Sequence, residues 1–104
     1  MSDASDSPVL VLHDPTAHRF ALNLPGGPAS LKYHVDREGR LSLDHTEVPE
    51  EGRHRGIAGR LAKAALEYAR DRRLRVVPRC PFVRAYLEDH PEERDLVDED
   101  TATR

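Results

Sequence analysis

The 104-residue sequence has one cysteine, no tryptophan and no long apolar run, and aromatic residues make up only 5% of it. A single thiol, Cys80, excludes an internal disulfide framework and cannot by itself build a cysteine-rich zinc site. No stretch approaches the roughly 18 apolar residues that span a bilayer. No apolar segment follows a basic amino-terminal region, as a secretory signal would require. The expectation is a cytoplasmic protein with no membrane partner and no metal. The basic residues lack neighbouring aromatic platforms and the net charge is −3, so a nucleic-acid partner is not expected either.

What is present fits one small domain. Apolar residues make up 38% of the chain, enough for one modest core. Residues 9–97 carry the ordered patterning. Met1 to Pro8 and the acidic Asp98 to Arg104 are expected to fray as flexible ends. Charge is segregated: Arg53 to Arg79 holds nine Arg or Lys against two acids, and Glu88 to Asp100 holds eight acids against Arg94. A basic centre suits a phosphate-bearing ligand; the alternative is a solvated helix face.

Val9 to His13 is an apolar run of strand length, and Asp14-Pro15-Thr16 turns it into Arg19 to Leu24, where Phe20, Leu22 and Leu24 alternate. Pro25-Gly26-Gly27-Pro28 breaks the chain before Leu31, Tyr33 and Val35 alternate in turn. After the turn at Asp36-Arg37-Glu38-Gly39, Leu41, Leu43 and His45 alternate with Ser42, Asp44 and Thr46, and Pro49 stops the strand. These runs predict an antiparallel four-stranded meander.

From Gly56 the period lengthens. Ile57, Leu61, Ala64, Ala65 and Tyr68 recur at helical spacing to about Arg73, with Arg60, Lys63, Glu67 and Arg70 toward solvent. Leu74 to Val77 reads as a short buried strand, parallel to its neighbour if the two share an edge. Cys80-Pro81 opens a second helix bearing Phe82, Val83, Tyr86 and Leu87, which Pro91 ends. The fold class is mixed α/β (α+β).

The most informative segment is Arg53-His54-Arg55-Gly56-Ile57-Ala58-Gly59, where a strand gives way to a helix. Unpaired backbone N–H groups and the positive end of the helix dipole favour a phosphate or diphosphate there. Gly56, Ala58 and Gly59 keep the approach open, while Arg53 and Arg55 add positive charge. The competing reading is that the glycines only permit a tight turn and close helix packing.

Placed between that strand and helix, Arg53 to Ala58 resembles the (Arg/Gln)-x-x-Gly-x-(Gly/Ala) loop of motif A in the GNAT superfamily of N-acetyltransferases. His45-Thr46-Glu47-Val48-Pro49 and Val77-Pro78-Arg79-Cys80-Pro81-Phe82-Val83 further resemble a minimal, single-domain subgroup, and the similarity covers about His13 to Val97. The resemblance implies acetyl-coenzyme A as co-substrate. It implies that Glu47 and Val48 pair with the pantetheine arm, that Arg53 through Gly59 take the diphosphate, and that Arg60 or Lys63 reach outer phosphates.

Acetyl transfer to an amine needs a neutral amine, a polarised carbonyl and a proton for the departing thiolate. His45 is the candidate general base. Cys80, at a helix start that favours thiolate, is the candidate for a Cys–His pair and an acyl-enzyme route; otherwise it is a small buried hydrophobe. Tyr86 resembles the superfamily's thiolate-protonating tyrosine with spacing one residue short. Ser42 stands nearest to where several relatives carry a basic glutamate. Against larger relatives, the helices usual between the first two strands are expected to have shrunk to Asp14 to Ala17 and the closing strands to be absent, which implies an acceptor side open to a protein or peptide amine, to a weakly bound small amine, or to a partner completing the site. The chain is expected as a monomer or weak homodimer. Two functions stay open, an N-acetyltransferase acting on a primary amine and a non-catalytic acyl-coenzyme A binding or protein-interaction module.

Overall fold

The structure, a computed structural model, describes residues 11–50 and 56–98. Five strands form one sheet in chain order: β1 (Leu12–Asp14), β2 (Arg19–Leu24), β3 (Gly27–Val35), β4 (Leu41–Glu47) and β5 (Val76–Pro78). The first four pair antiparallel. Helix α1 (Ile57–Arg72) carries the chain from β4 across to β5, which pairs parallel with β4. Helix α2 (Pro81–Asp89) and a 3-10 segment (Pro91–Leu96) complete the described chain. This is the meander, helix, parallel strand and helix that the sequence order implies.

The turns are built by their own side chains. The Asp14 carboxylate accepts from the Ala17 N–H at 3.1 Å. Asp36 accepts from the N–H groups of Glu38 and Arg40, both at 2.9 Å, the local pattern that makes aspartate a turn residue. The second turn is tighter than expected. Pro25-Gly26-Gly27-Pro28 reads as a four-residue break, yet β3 begins at Gly27, whose φ of 127° lets the chain double back at once.

Alternation on β2, β3 and β4 turns Phe20, Leu22, Ala29, Leu31, Tyr33, Leu41 and Leu43 into one buried face. Against it α1 lays Leu61, Ala62, Ala65, Leu66 and Ala69, all at most 1% exposed. The three alanines let the helix backbone come close to the sheet, and each buried leucine contributes roughly 2 kcal/mol of transfer free energy. Val83 and Leu87 of α2 join the same core. Arg60, Lys63, Glu67 and Arg70 are exposed, as the helical spacing predicts.

Other boundaries move. The first strand, expected over Val9 to His13, runs from Leu12 to Asp14, with residues 9 and 10 outside those described. The fifth covers Val76–Pro78 rather than Leu74 to Val77, because Leu74 serves α1 as a cap: Arg73 turns left-handed (φ 59°) and the Leu74 N–H donates back to the Ala69 carbonyl at 2.8 Å. Asp98 is held, not frayed: its N–H donates to the Val76 carbonyl at 2.9 Å and its carboxylate accepts from Arg40 at 3.1 Å.

Part of the basic centre is occupied by this acidic end. Arg70 donates to Glu93 and Asp95 at 3.0 Å, and Arg75 donates to the carbonyls of Asp95 and Val97 at 3.0 and 2.6 Å. The charge segregation seen in the sequence is therefore in part an internal pairing. Arg70 and Arg75 engage the carboxyl-terminal segment.

Candidate functional site

Two irregularities of β4 make the site. The ladder to β5 holds only Leu41↔Val76, Ser42↔Val77 and Leu43↔Pro78. Beyond it the Leu43 carbonyl accepts from both the Arg79 and Cys80 N–H groups, at 3.1 and 3.0 Å, which turns the chain away from β4 and into α2. Among the described residues no strand pairs with β4 on that side from Asp44 to Glu47.

The second irregularity is a bulge. Lys32 pairs with His45 but Tyr33 pairs with Leu43, so Asp44 is the extra residue. Both its oxygens are held, Oδ1 by the Ser42 hydroxyl and Oδ2 by His34 Nδ1, each at 2.6 Å. The bulge overturns the expected alternation. Simple period two puts His45 with Leu43; instead Thr46 turns to the core side at 6% exposed, and His45 is exposed.

His45, Thr46 and Glu47 therefore come from both faces of β4, yet with Val48 just beyond the strand they all line one cleft of about 840 Å³. Side chains from both faces can share a cleft only where it runs along the strand's edge. Pro28, Pro49 and Phe82 line its rim, and Gly56, Ile57, Ala58 and Gly59 line its other end. There α1 begins at Gly56 with φ 74°, a conformation suited to glycine. Among the described residues no side chain caps it, and its first turn holds no acid.

The sequence candidates divide among three places. Glu47, Val48, Gly56, Ile57, Ala58, Gly59 and His45 meet in the cleft. Arg53, His54 and Arg55 lie outside the described residues. Arg60 is exposed on the first turn of α1.

The Cys80–His45 pair is not formed. Cys80 is 1% exposed and its Sγ lies 3.1 Å from Thr46 Oγ1. His45 Nε2 donates instead to the Glu47 carboxylate at 3.3 Å, which leaves Nδ1 of the neutral ring as the proton acceptor. Strand spacing explains this, since His45 and Glu47 share a face two residues apart and Thr46 points the other way.

Tyr86 is not among the cleft's described lining residues. Its ring packs at 3.6 Å from where a side chain at Gly59 would begin and stacks on His90 with centroids 4.1 Å apart. Burial, then the carboxylates of Glu93, Glu92 and Glu67, pushes its phenol above the ordinary tyrosine range. Gly59 thus also serves the close packing of the two helices.

Sequence reasoning missed Thr46 and Phe82. Phe82, expected on the apolar face of α2, is 55% exposed on the cleft rim; its place directly after the helix-opening proline was the available signal. Thr46 had none, because nothing in the sequence marks the bulge. Among the described residues no group of three or more His, Cys, Asp or Glu is placed to hold a metal ion. No described helix is long and apolar enough to cross a membrane.

A family model for GCN5-related N-acetyltransferases matches residues 19–96. The chain belongs to this family. The match reaches from β2 through the 3-10 segment, so it takes in both irregularities of β4 and both helices. Among curated proteins, this GCN5-related chain is 36% identical over 86 residues to protein NATD1 of Mus musculus and of Gallus gallus. For the mouse protein the aligned part is 81% of this chain and 78% of the relative. The NATD1 protein of Danio rerio is 34% identical over 83 residues, 78% of this chain and 76% of its own.

Proposed function

We propose that this chain is an N-acetyltransferase that binds acetyl-coenzyme A along the free edge of β4 and acetylates a primary amine. The observation that carries this reading is the strand splay beyond Leu43 and Pro78, whose cleft reaches the start of α1, where no described side chain caps the helix. The fit is specific at that end. A side chain at Gly56 would meet nothing within 4 Å, which leaves room beside the first turn, and the helix dipole favours a diphosphate there.

When bound, acetyl-coenzyme A supplies an activated acetyl thioester. Gly56, Ile57, Ala58 and Gly59 hold the diphosphate through backbone N–H groups, with Arg53, Arg55 and Arg60 adding positive charge. Glu47 and Val48 hold the pantetheine arm by extending the sheet with main-chain hydrogen bonds. His45 takes the proton of the incoming amine at Nδ1, while Glu47 fixes the tautomer and offsets the charge of the imidazolium. Transfer is direct, because Cys80 is buried beside Thr46 rather than paired with a base.

Calorimetric titration with coenzyme A, followed by a free-thiol assay with acetyl-coenzyme A and an amine pool, tests the proposal. Saturable binding with amine-dependent thiol release is the expected result. Binding without release from any amine would point to a non-catalytic acyl-coenzyme A module, and absence of binding would refute the reading.

A further inference from the structure

Thr46 is the one residue bearing a side-chain hydroxyl among the described residues lining the cleft, and at 6% exposure it is nine-tenths buried. The other polar side chains there, His45 and Glu47, are a base and a carboxylate. Neither suits the negative charge that develops on a carbonyl oxygen during acyl transfer: the base has its own proton to take, and the carboxylate repels. That charge calls for a neutral, desolvated donor.

The direction of Thr46's own hydrogen bond decides whether its hydroxyl is available. In the 3.1 Å contact either atom can be the donor, and the arrangement in which the Cys80 S–H donates to Thr46 Oγ1 is the one that leaves the hydroxyl hydrogen for the cleft. The hydroxyl hydrogen is then directed away from Cys80. Cys80 itself is held by its N–H bond to the Leu43 carbonyl at 3.0 Å, and the branched threonine side chain is stiff about χ1.

We infer that Thr46 is a catalytic residue whose hydroxyl donates to the thioester carbonyl oxygen, and that Cys80 is its positioning residue rather than a nucleophile. This rests on the acetyl-coenzyme A reading above. His45 and Thr46 are consecutive and point to opposite faces of the free edge, so base and donor approach the reacting carbon from two sides. The amine nitrogen bonds to that carbon and its proton passes to His45 Nδ1. The carbon–sulfur bond breaks with its electron pair on sulfur, and the hydroxyl strengthens its hydrogen bond without losing its proton.

Two infrared measurements read this without turnover. The S–H stretch of the single cysteine is shifted by donation to oxygen, and Thr46→Val should return it to the free-thiol position while Thr46→Ser keeps it shifted. With acetyl-coenzyme A labelled at the carbonyl carbon, the bound band should lie lower in the wild type and in Thr46→Ser than in Thr46→Val. In assays Thr46→Val should lower kcat about a hundredfold at unchanged coenzyme A affinity. Cys80→Ser should stay near wild type and Cys80→Ala should lose about tenfold, whereas a nucleophile would fail in both. Identical carbonyl bands in wild type and Thr46→Val would overturn the role of the hydroxyl alone. Acetyl-coenzyme A that does not bind at all would overturn the underlying reading and this inference together.

Discussion

The two ends of α1 are built to opposite rules. At its carboxyl end the chain closes on itself: Arg73 donates its N–H back to the Ala69 and Arg70 carbonyls, and Arg72 lies 4.9 Å over the Tyr68 ring. His13 stacks on Phe20 with centroids 4.4 Å apart, meets Tyr68 edge-on at 4.5 Å, and shares a 2.6 Å hydrogen bond with the Tyr33 hydroxyl. At its amino end a glycine in a left-handed conformation precedes a turn that no described side chain caps, and no described strand pairs with the neighbouring edge of β4 beyond Leu43. The closed end holds the sheet and helix together. The open end lies along a cleft lined by Gly56, Ile57, Ala58 and Gly59.

The comparison can be broken at either end. Phe20, 3% exposed, anchors the closed end, and Phe20→Ala should remove about 4 kcal/mol of stability in denaturant unfolding. At the open end His45→Ala should lower kcat about a hundredfold while leaving the unfolding midpoint in place. Gly56→Val forces a branched side chain into φ 74°, costs about 1 kcal/mol or more, and should weaken coenzyme A binding in calorimetry out of proportion to that loss.

The smallest effect is a pH dependence. Burial first, then the Arg72 charge, holds the His13 imidazole below its ordinary value, with Asp14 opposing. The unfolded chain therefore takes up this proton first as pH falls, so His13 favours the folded state above about pH 6.5 and that contribution fades below it. Melting temperature should decline from pH 7 toward pH 5, less steeply in His13→Gln. An equal slope in both proteins would remove His13 from this account.

How much of this was legible in the sequence depended on whether a signal repeats. Phe20 and Leu22, Leu31 and Tyr33, Leu41 and Leu43 repeat a period of two, and Ile57, Leu61, Ala65 and Ala69 repeat a helical one, so the order of elements could be read directly. The glycine-bearing start of α1 was legible because glycine and a period change coincide there. The bulge at Asp44 was not, since one extra residue held by Ser42 and His34 leaves no trace in local composition. That single residue reverses the sides taken by His45 and Thr46. It replaces the expected Cys–His pair with His45–Glu47 and Thr46–Cys80. The clamps from Arg70 and Arg75 to the 3-10 segment were hidden for another reason, being contacts between segments far apart in the chain.

The central claim is that the open end of α1 and the free edge of β4 form the acetyl-coenzyme A site. Backbone amide spectra recorded during a coenzyme A titration test it most directly. The account predicts saturable shifts at Thr46, Glu47, Val48, Gly56, Ile57, Ala58 and Gly59, with His13, Phe20, Tyr33 and Tyr68 unmoved. Shifts confined to the aromatic end, or none at either end, would contradict it.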